Sequence, residues 1–172
     1  MTTSFPTDDA FQNALNREDE LGRVIRAHLH IENLVDRLLL LKFSKPEVFQ
    51  KMRLEFSARV MLLEAFGYGR MLTMPLAAIG NLRNDFAHKV DFALTSERME
   101  GLYNSFDVEG KEIIQQSYRR TRTQMPETNA PHTMKSLKPQ DRFTFYAVSI
   151  HAMLVICLKE QTAGRPQAPR RT

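Results

Sequence analysis

Residues 18–43, EDELGRVIRAHLHIENLVDRLLLLKF, place Leu21, Val24, Ile25, Ile31, Val35, Leu38 and Leu39 at the three-and-four spacing of one helix face. That period predicts a single long helix from about Glu18 to Phe43. Lys45-Pro46 breaks it, because proline disfavours helical geometry in the residue before it. Leu38 to Leu41 is apolar on every side, so this end is expected to be enclosed by several partners. His28 and Glu32, four residues apart, interrupt the face otherwise built by Leu21, Ile25, Val35 and Leu39. Polar groups on a core face require polar company from whatever packs there.

Helical periods dominate the remaining chain. They predict a short helix over Asp8–Asn16 with Thr7 as N-cap and a turn over Pro46–Met52. A helix over about Glu55–Phe66 follows, with Val60, Leu63 and Phe66 inward, stopped by Gly67-Tyr68-Gly69. Further helices are expected over about Leu72–Lys89, with Ile79, Leu82, Phe86 and Val90 as core stripe, over Ser96–Phe106, and over Val108–Arg122. Residues 123–139 contain Pro126, Pro131 and Pro139 without a helical period, and read as a loop or lid. A last helix over about Asp141–Glu160 is expected to bury Phe143, Val148, Met153, Leu154 and Cys157. Strand signals and internal repeats are lacking. The expected fold is an all-α bundle with long first and last helices, one domain over residues 1–162 and a disordered basic tail over 163–172.

The amino terminus has neither the basic start nor the apolar stretch of a secretory signal, and the expected location is the cytoplasm. The apolar run Phe145–Leu158, interrupted by His151, is shorter than the roughly 20 residues that span a bilayer, so a core helix rather than a membrane segment is expected. One cysteine, Cys157, excludes an intramolecular disulfide and a cysteine-based zinc cluster. Residues 1–100 carry 13 Lys and Arg against 14 Asp and Glu, whereas residues 101–172 carry 11 against 6. A polyanion would therefore be sought at the basic end. Arg119, Arg120 and Arg122 are the candidates for nucleic-acid binding there, followed by Lys135, Lys138 and Arg142 and by Arg165, Arg170 and Arg171. Solubility and helix-end charge explain the same residues without a ligand.

The helix over about Leu72–Lys89 carries Asn81-Leu82-Arg83-Asn84-Asp85-Phe86-Ala87-His88. Taking Ile79 as zero and 100° per residue, Asn84 falls at about 140° and His88 at about 180°, one turn apart on the polar side. Arg83 falls at about 40°, at the edge of the apolar stripe, where a guanidinium requires a partner. Packing this helix on the long first one would bring Glu32 to Arg83, with His28 close by. Two readings stand at this point: a structural Arg–Glu pair with Asn84 and His88 merely solvated, or a reactive cluster.

The segment resembles the HEPN signature, an Arg followed by a polar residue and then, four to six residues after the Arg, a His. The resemblance implies a helical bundle that pairs as a homodimer around a composite cleft. It also implies a metal-independent endoribonuclease, as in toxin–antitoxin modules or antiviral systems. It casts Arg83 and His88 as catalytic, Asn84 as the polar residue positioning them, and Glu32 as a supporting acid, with RNA as substrate, an antitoxin as possible partner, and no cofactor; His28, which packing brings close by, is taken as a further supporting group. A closer similarity, from Ala27 onward, is to the mannitol-operon repressor family, carried by Glu32, Arg37-Leu38-Leu39, Ala58 to Leu63, Leu82-Arg83 with His88, and the apolar last helix. It implies the alternative of a non-catalytic regulator working through protein contacts. Asn84-Asp85-Phe86-Ala87 inside the motif is closer to the general HEPN form.

These residue types suit the chemistry. Cleavage of RNA by its own 2′-hydroxyl needs a proton removed from that oxygen, a proton given to the leaving 5′-oxygen, and charge stabilisation at phosphorus. Histidine exchanges protons near neutrality, and arginine supplies a permanent forked donor. One protomer offers a single evident histidine of this kind, so a dimer is expected to supply two. His30 lies off the core face, His132 falls in the proline-rich loop, and His151 reads as a core histidine. None has a metal-ligand spacing, so no metal is expected. A phosphate-binding glycine loop, a nucleophile elbow and a DNA-reading helix pair are all lacking.

Overall fold

The computed structural model describes residues 8–89, 91–123 and 133–163. Thr7, Val90, the prolines at 126 and 131, His132, and the tail with Arg165, Arg170 and Arg171 lie outside the described residues, as does most of the expected loop or lid.

The described chain is helical, with no strand: α1 Asp8–Asn16, α2 Glu20–Leu40, α3 Pro46–Lys51, α4 Phe56–Ala65, α5 Arg70–His88, α6 Ser96–Asn104, α7 Val108–Thr123 and α8 Pro139–Ala163, with a 3-10 turn over Met134–Ser136 before α8. α2 opens on Asp19, whose carboxylate accepts from the Gly22 amide at 2.7 Å, and so starts one residue later than Asp19 itself. It closes at Leu40, earlier than the expected Phe43, where the Leu41 and Lys42 amides turn back onto Arg37 and Leu39. α4 ends as the glycines predict. Gly67 takes φ +89°, its amide bonds to Glu64 O at 2.9 Å, and the Tyr68 amide bonds to Leu63 O at 3.0 Å, the paired closure of a Schellman motif.

α8 is the hub, packed by α1, α2, α5, α6 and α7, while α4 packs across α2 and α5. Phe143, Met153 and Leu154 are buried as expected, but Val148 and Cys157 are half-buried, and Tyr146, Ala147, Ile150 and Leu158 complete the interior. With helices on several sides, α8 has no single stripe from which periodicity could select its core. At 25 residues α8 is longer than the run Phe145–Leu158 suggested, and it is long and apolar enough to cross a membrane by length and composition. Its packing at the centre of the bundle accounts for that apolarity equally.

Leu21 departs from its expected burial and is half exposed. It sits in the first turn of α2 and faces a shallow depression beside Phe86 and Phe92 rather than α8. Phe66, expected inward, is also exposed at the end of α4. Arg142, counted among the basic residues, is 3% exposed. Its guanidinium meets Glu100 at 3.1 Å and the Tyr146 hydroxyl at 3.3 Å, and Lys135 also pairs with Glu100 at 3.4 Å, so Arg142 is a core clamp and is not available to a polyanion. His151 is fully buried and stacks on Phe11 at 4.4 Å, in keeping with a core histidine.

Candidate functional site

α4 lies across α2 and α5 and leaves a cleft of about 570 Å³ between the three helices. Its walls include His28 and Glu32 from α2, Phe56, Val60 and Met61 from α4, and Thr73, Asn81, Arg83, Asn84 and His88 from α5. The five residues singled out on α2 and α5 thus share one cavity, of a size that takes a nucleotide. Arg119, Arg120 and Arg122 do not. They are exposed on the last turns of α7, a helix packed on α8, and none of them lines the cleft.

The close approach of α4 to α5 depends on Gly80. A Cβ built there would stand 2.8 Å from Cδ1 of Phe56, whose ring packs edge-on against the His28 imidazole at 4.5 Å between centroids. An isolated glycine within a helical pattern is the sequence signal for such a contact. Gly80→Ala gains helix propensity of about 1 kcal/mol but overpacks by about 1–3 kcal/mol. The expected net is a destabilisation of about 1 kcal/mol in chemical denaturation, with the Phe56 ring displaced from His28.

The expected Arg83–Glu32 pair does not form. Arg59 of α4 takes Glu32 at 2.7 Å and Asp36, one turn further along α2, at 3.1 Å. Periodicity placed Glu32 and Arg83 on facing surfaces but carried no information on which cation of the third helix would intervene. Arg59 lies within the Ala58–Leu63 stretch, and it is the crossing of α4 over α2 that brings it to Glu32. Arg83 instead donates to Asn84 Oδ1 at 3.1 Å, and among the described residues it has no carboxylate within ion-pairing distance. It is half-buried, and His88, the last residue of α5, is exposed. His88 also borders the depression of about 540 Å³ formed with Asp19, Glu20, Phe86 and Phe92, so it stands between the two concavities.

His28 is 4% exposed, with Nδ1 3.7 Å from Glu32 Oε2. Burial pushes its pKa below the usual histidine value; Glu32 opposes that shift, and Arg83 and Arg59 add to it. Burial and the two guanidinium groups thus favour the neutral imidazole. Asp36 is shifted upward by burial, with Arg59 opposing and Glu32 reinforcing, and its Oδ1 is buried without a hydrogen-bond partner among the described residues. Among the described residues no group of three or more His, Cys, Asp or Glu side chains has an arrangement that would hold a metal ion. No protein-family model matches this chain, and neither a curated protein nor a solved structure matches it.

Proposed function

We propose that the protein is a metal-independent endoribonuclease of the HEPN type, working as a homodimer and cleaving RNA at the cleft between α2, α4 and α5. One observation carries the reading: Arg83, Asn84 and His88 line the same cleft as His28 and Glu32, with His88 exposed and Arg83 bound to no carboxylate among the described residues. A guanidinium free of ion pairing is available to a phosphodiester, and an adjacent imidazole exchanges the protons that transesterification requires. The scissile phosphate lies against Arg83, Asn84 fixes the guanidinium, and His88 serves the leaving oxygen at the mouth. The products are a 2′,3′-cyclic phosphate and a 5′-hydroxyl.

The test is incubation of purified protein with single-stranded RNA in excess EDTA. Cleavage to cyclic-phosphate ends, reduced about 10²–10⁴-fold by His88→Ala, is the expected result. Activity that vanishes with chelation, or survives His88→Ala intact, overturns the proposal.

A second reading, a regulator acting through protein contacts, draws support from Met61 and Met74, large apolar side chains that are exposed on the cleft walls. It predicts no RNA cleavage and partner binding that tolerates loss of both Arg83 and His88.

A further inference from the structure

The cleft between α2, α4 and α5 holds more carboxylates than a phosphodiester site calls for. Beside Glu32 it is lined by Glu55 and Glu64, both exposed on the α4 wall, with Arg83, Asn84 and His88 on the α5 wall. The Glu32 charge is met by Arg59. Among the described residues the carboxylates of Glu55 and Glu64 make no ion pair and no hydrogen bond. Glu55 stands at the N-cap of α4, where a short polar side chain takes up a free helix amide; its longer carboxylate makes no such bond and is left to the cleft. An unpaired carboxylate weakens the hold of a cleft on a polyanion unless a donor on the ligand meets it.

Gly80 sets the register of the two walls. Phe56, the first residue of α4, packs on Gly80 of α5, and the four residues 66–69 joining the helices make them an antiparallel pair. Counting outward from that contact, Glu55 is level with Asn81, within about one turn of Arg83 and Asn84. Glu64, near the other end of α4, is level with Thr73, roughly three turns of α5 from Asn84. Phe56, Val60 and Met61 give the wall between the two carboxylates an apolar surface. One end of the cleft therefore offers a guanidinium, an unpaired carboxylate and an apolar face, which are complements of the phosphate, the donor edge and the flat side of a nucleotide.

On the nuclease reading above, we propose that Glu55 is the specificity-determining residue of the cleft and selects guanine as the base of the nucleotide that carries the attacking 2′-hydroxyl. Guanine is the RNA base whose Watson–Crick edge presents two adjacent donors, N1–H and the N2 amino group, and the two oxygens of a carboxylate accept both. Adenine and cytosine place a ring-nitrogen acceptor beside their amino group, and uracil sets its N3–H between two carbonyl oxygens. Each of those three brings lone pairs against the carboxylate. His88 serves the leaving oxygen at the mouth, so the leaving nucleotide departs there. The nucleotide that keeps the phosphate lies inside, its base along Phe56, Val60 and Met61 and its phosphate on Arg83. Cleaved strands then end in guanosine 2′,3′-cyclic phosphate. Base reading from α4 is the same whether the second proton-transfer group comes from this protomer or from its partner.

The test measures kcat/KM on the RNA dinucleotides GpU, ApU, CpU and UpU. Separately from any chemistry, calorimetry gives Kd for the 3′-monophosphates of guanosine, inosine and adenosine. The parent is expected to favour GpU by about 10–100-fold and to bind guanosine 3′-monophosphate tighter than the adenosine compound by a similar factor. Inosine, which lacks the N2 amino group, falls between them. Glu55→Gln sets an amide donor beside an acceptor, the pattern that matches adenine, so the guanine preference is expected to drop below about threefold or pass to ApU. Glu64→Gln, the same loss of charge farther along α4, is expected to leave the ranking unchanged. It separates contact with the base from general relief of repulsion. Thermal melts check that both variants fold, and the ranking of the parent with inosine included needs no variant at all.

Parent cleavage of all four dinucleotides within about threefold, or a guanine preference that survives Glu55→Gln, overturns the base assignment while the nuclease reading stands. A change of oligomeric state on Glu55→Gln with the ranking unchanged also overturns it, since the carboxylate then serves a protein contact. A parent that cleaves nothing yet binds guanosine 3′-monophosphate through Glu55 removes the nuclease reading and leaves the guanine subsite. With neither cleavage nor nucleotide binding, both fall.

Discussion

Arg83→Ala is expected to lower RNA cleavage by about two to three orders of magnitude, the cost of removing one preorganised donor to a developing oxyanion, while unfolding free energy changes by less than about 1 kcal/mol. The contrast follows from what Arg83 touches. Its one hydrogen bond among the described residues goes to the neighbouring Asn84 side chain, and no carboxylate is left uncompensated when it is removed. A residue kept for packing would show the reverse pattern, with stability lost and activity following in proportion. Arg83→Lys separates charge from shape. The ammonium retains the positive field but not the planar fork that matches a phosphate, so activity is expected between that of the parent and Arg83→Ala. Single-turnover cleavage and urea denaturation on the same preparations decide the matter. Arg83→Ala cleaving within about threefold of the parent, or losing several kcal/mol of stability, removes the phosphate-binding role.

The cluster was legible in the sequence because its members share helix faces. Asn84 and His88 lie one turn apart on α5, His28 and Glu32 one turn apart on α2, and the apolar residues around them forced those two faces together. What was not legible is the lateral offset of the helices. An angular position describes a residue about its own axis and is silent on how far a neighbouring helix slides or which third helix crosses above it. Gly80 admits Phe56 and so brings α4 down across the cleft, which puts Arg59 rather than Arg83 opposite Glu32. The same limit explains α8, where Tyr146 and Ile150 are core while Val148 and Cys157 are half-buried, since five packing partners leave no dominant stripe. Leu21 shows the complementary error: an apolar residue in phase with the core, placed where α2 begins and faces a surface depression. Arg142 is indistinguishable from a surface charge in the sequence because its partner Glu100 lies on α6, a pairing that no local pattern encodes.

Arg59→Ala is expected to be the most destabilising of the substitutions considered, by about 2–3 kcal/mol at neutral pH. The guanidinium, 18% exposed, is shared by Glu32 at 2.7 Å and Asp36 at 3.1 Å and ties α4 to α2. Without it two half-buried carboxylates face each other, and each disfavours ionisation of its neighbour. The penalty lies somewhat below that of a fully buried pair because water reaches all three groups. Its pH dependence has a definite sign. Asp36 already binds its proton more tightly in the folded chain than the free side chain does, and Arg59 opposes that shift. Removing Arg59 raises the folded-state pKa further, so between the unfolded carboxylate range and that raised value the folded variant binds more protons than its unfolded chain, and its stability grows as pH falls. The deficit relative to the parent should therefore be greatest near pH 7.5 and shrink on acidification. Arg59→Met, which keeps most of the aliphatic stem, should recover packing but neither the neutral-pH charge deficit nor its pH dependence. Urea denaturation of the parent and both variants at pH 7.5 and pH 5 measures each term. A deficit below about 0.5 kcal/mol, unchanged between the two pH values, would mean that the α2–α4 tie is only a solvated surface pair. Glu32, 3.7 Å from the His28 imidazole, would then have no anchor.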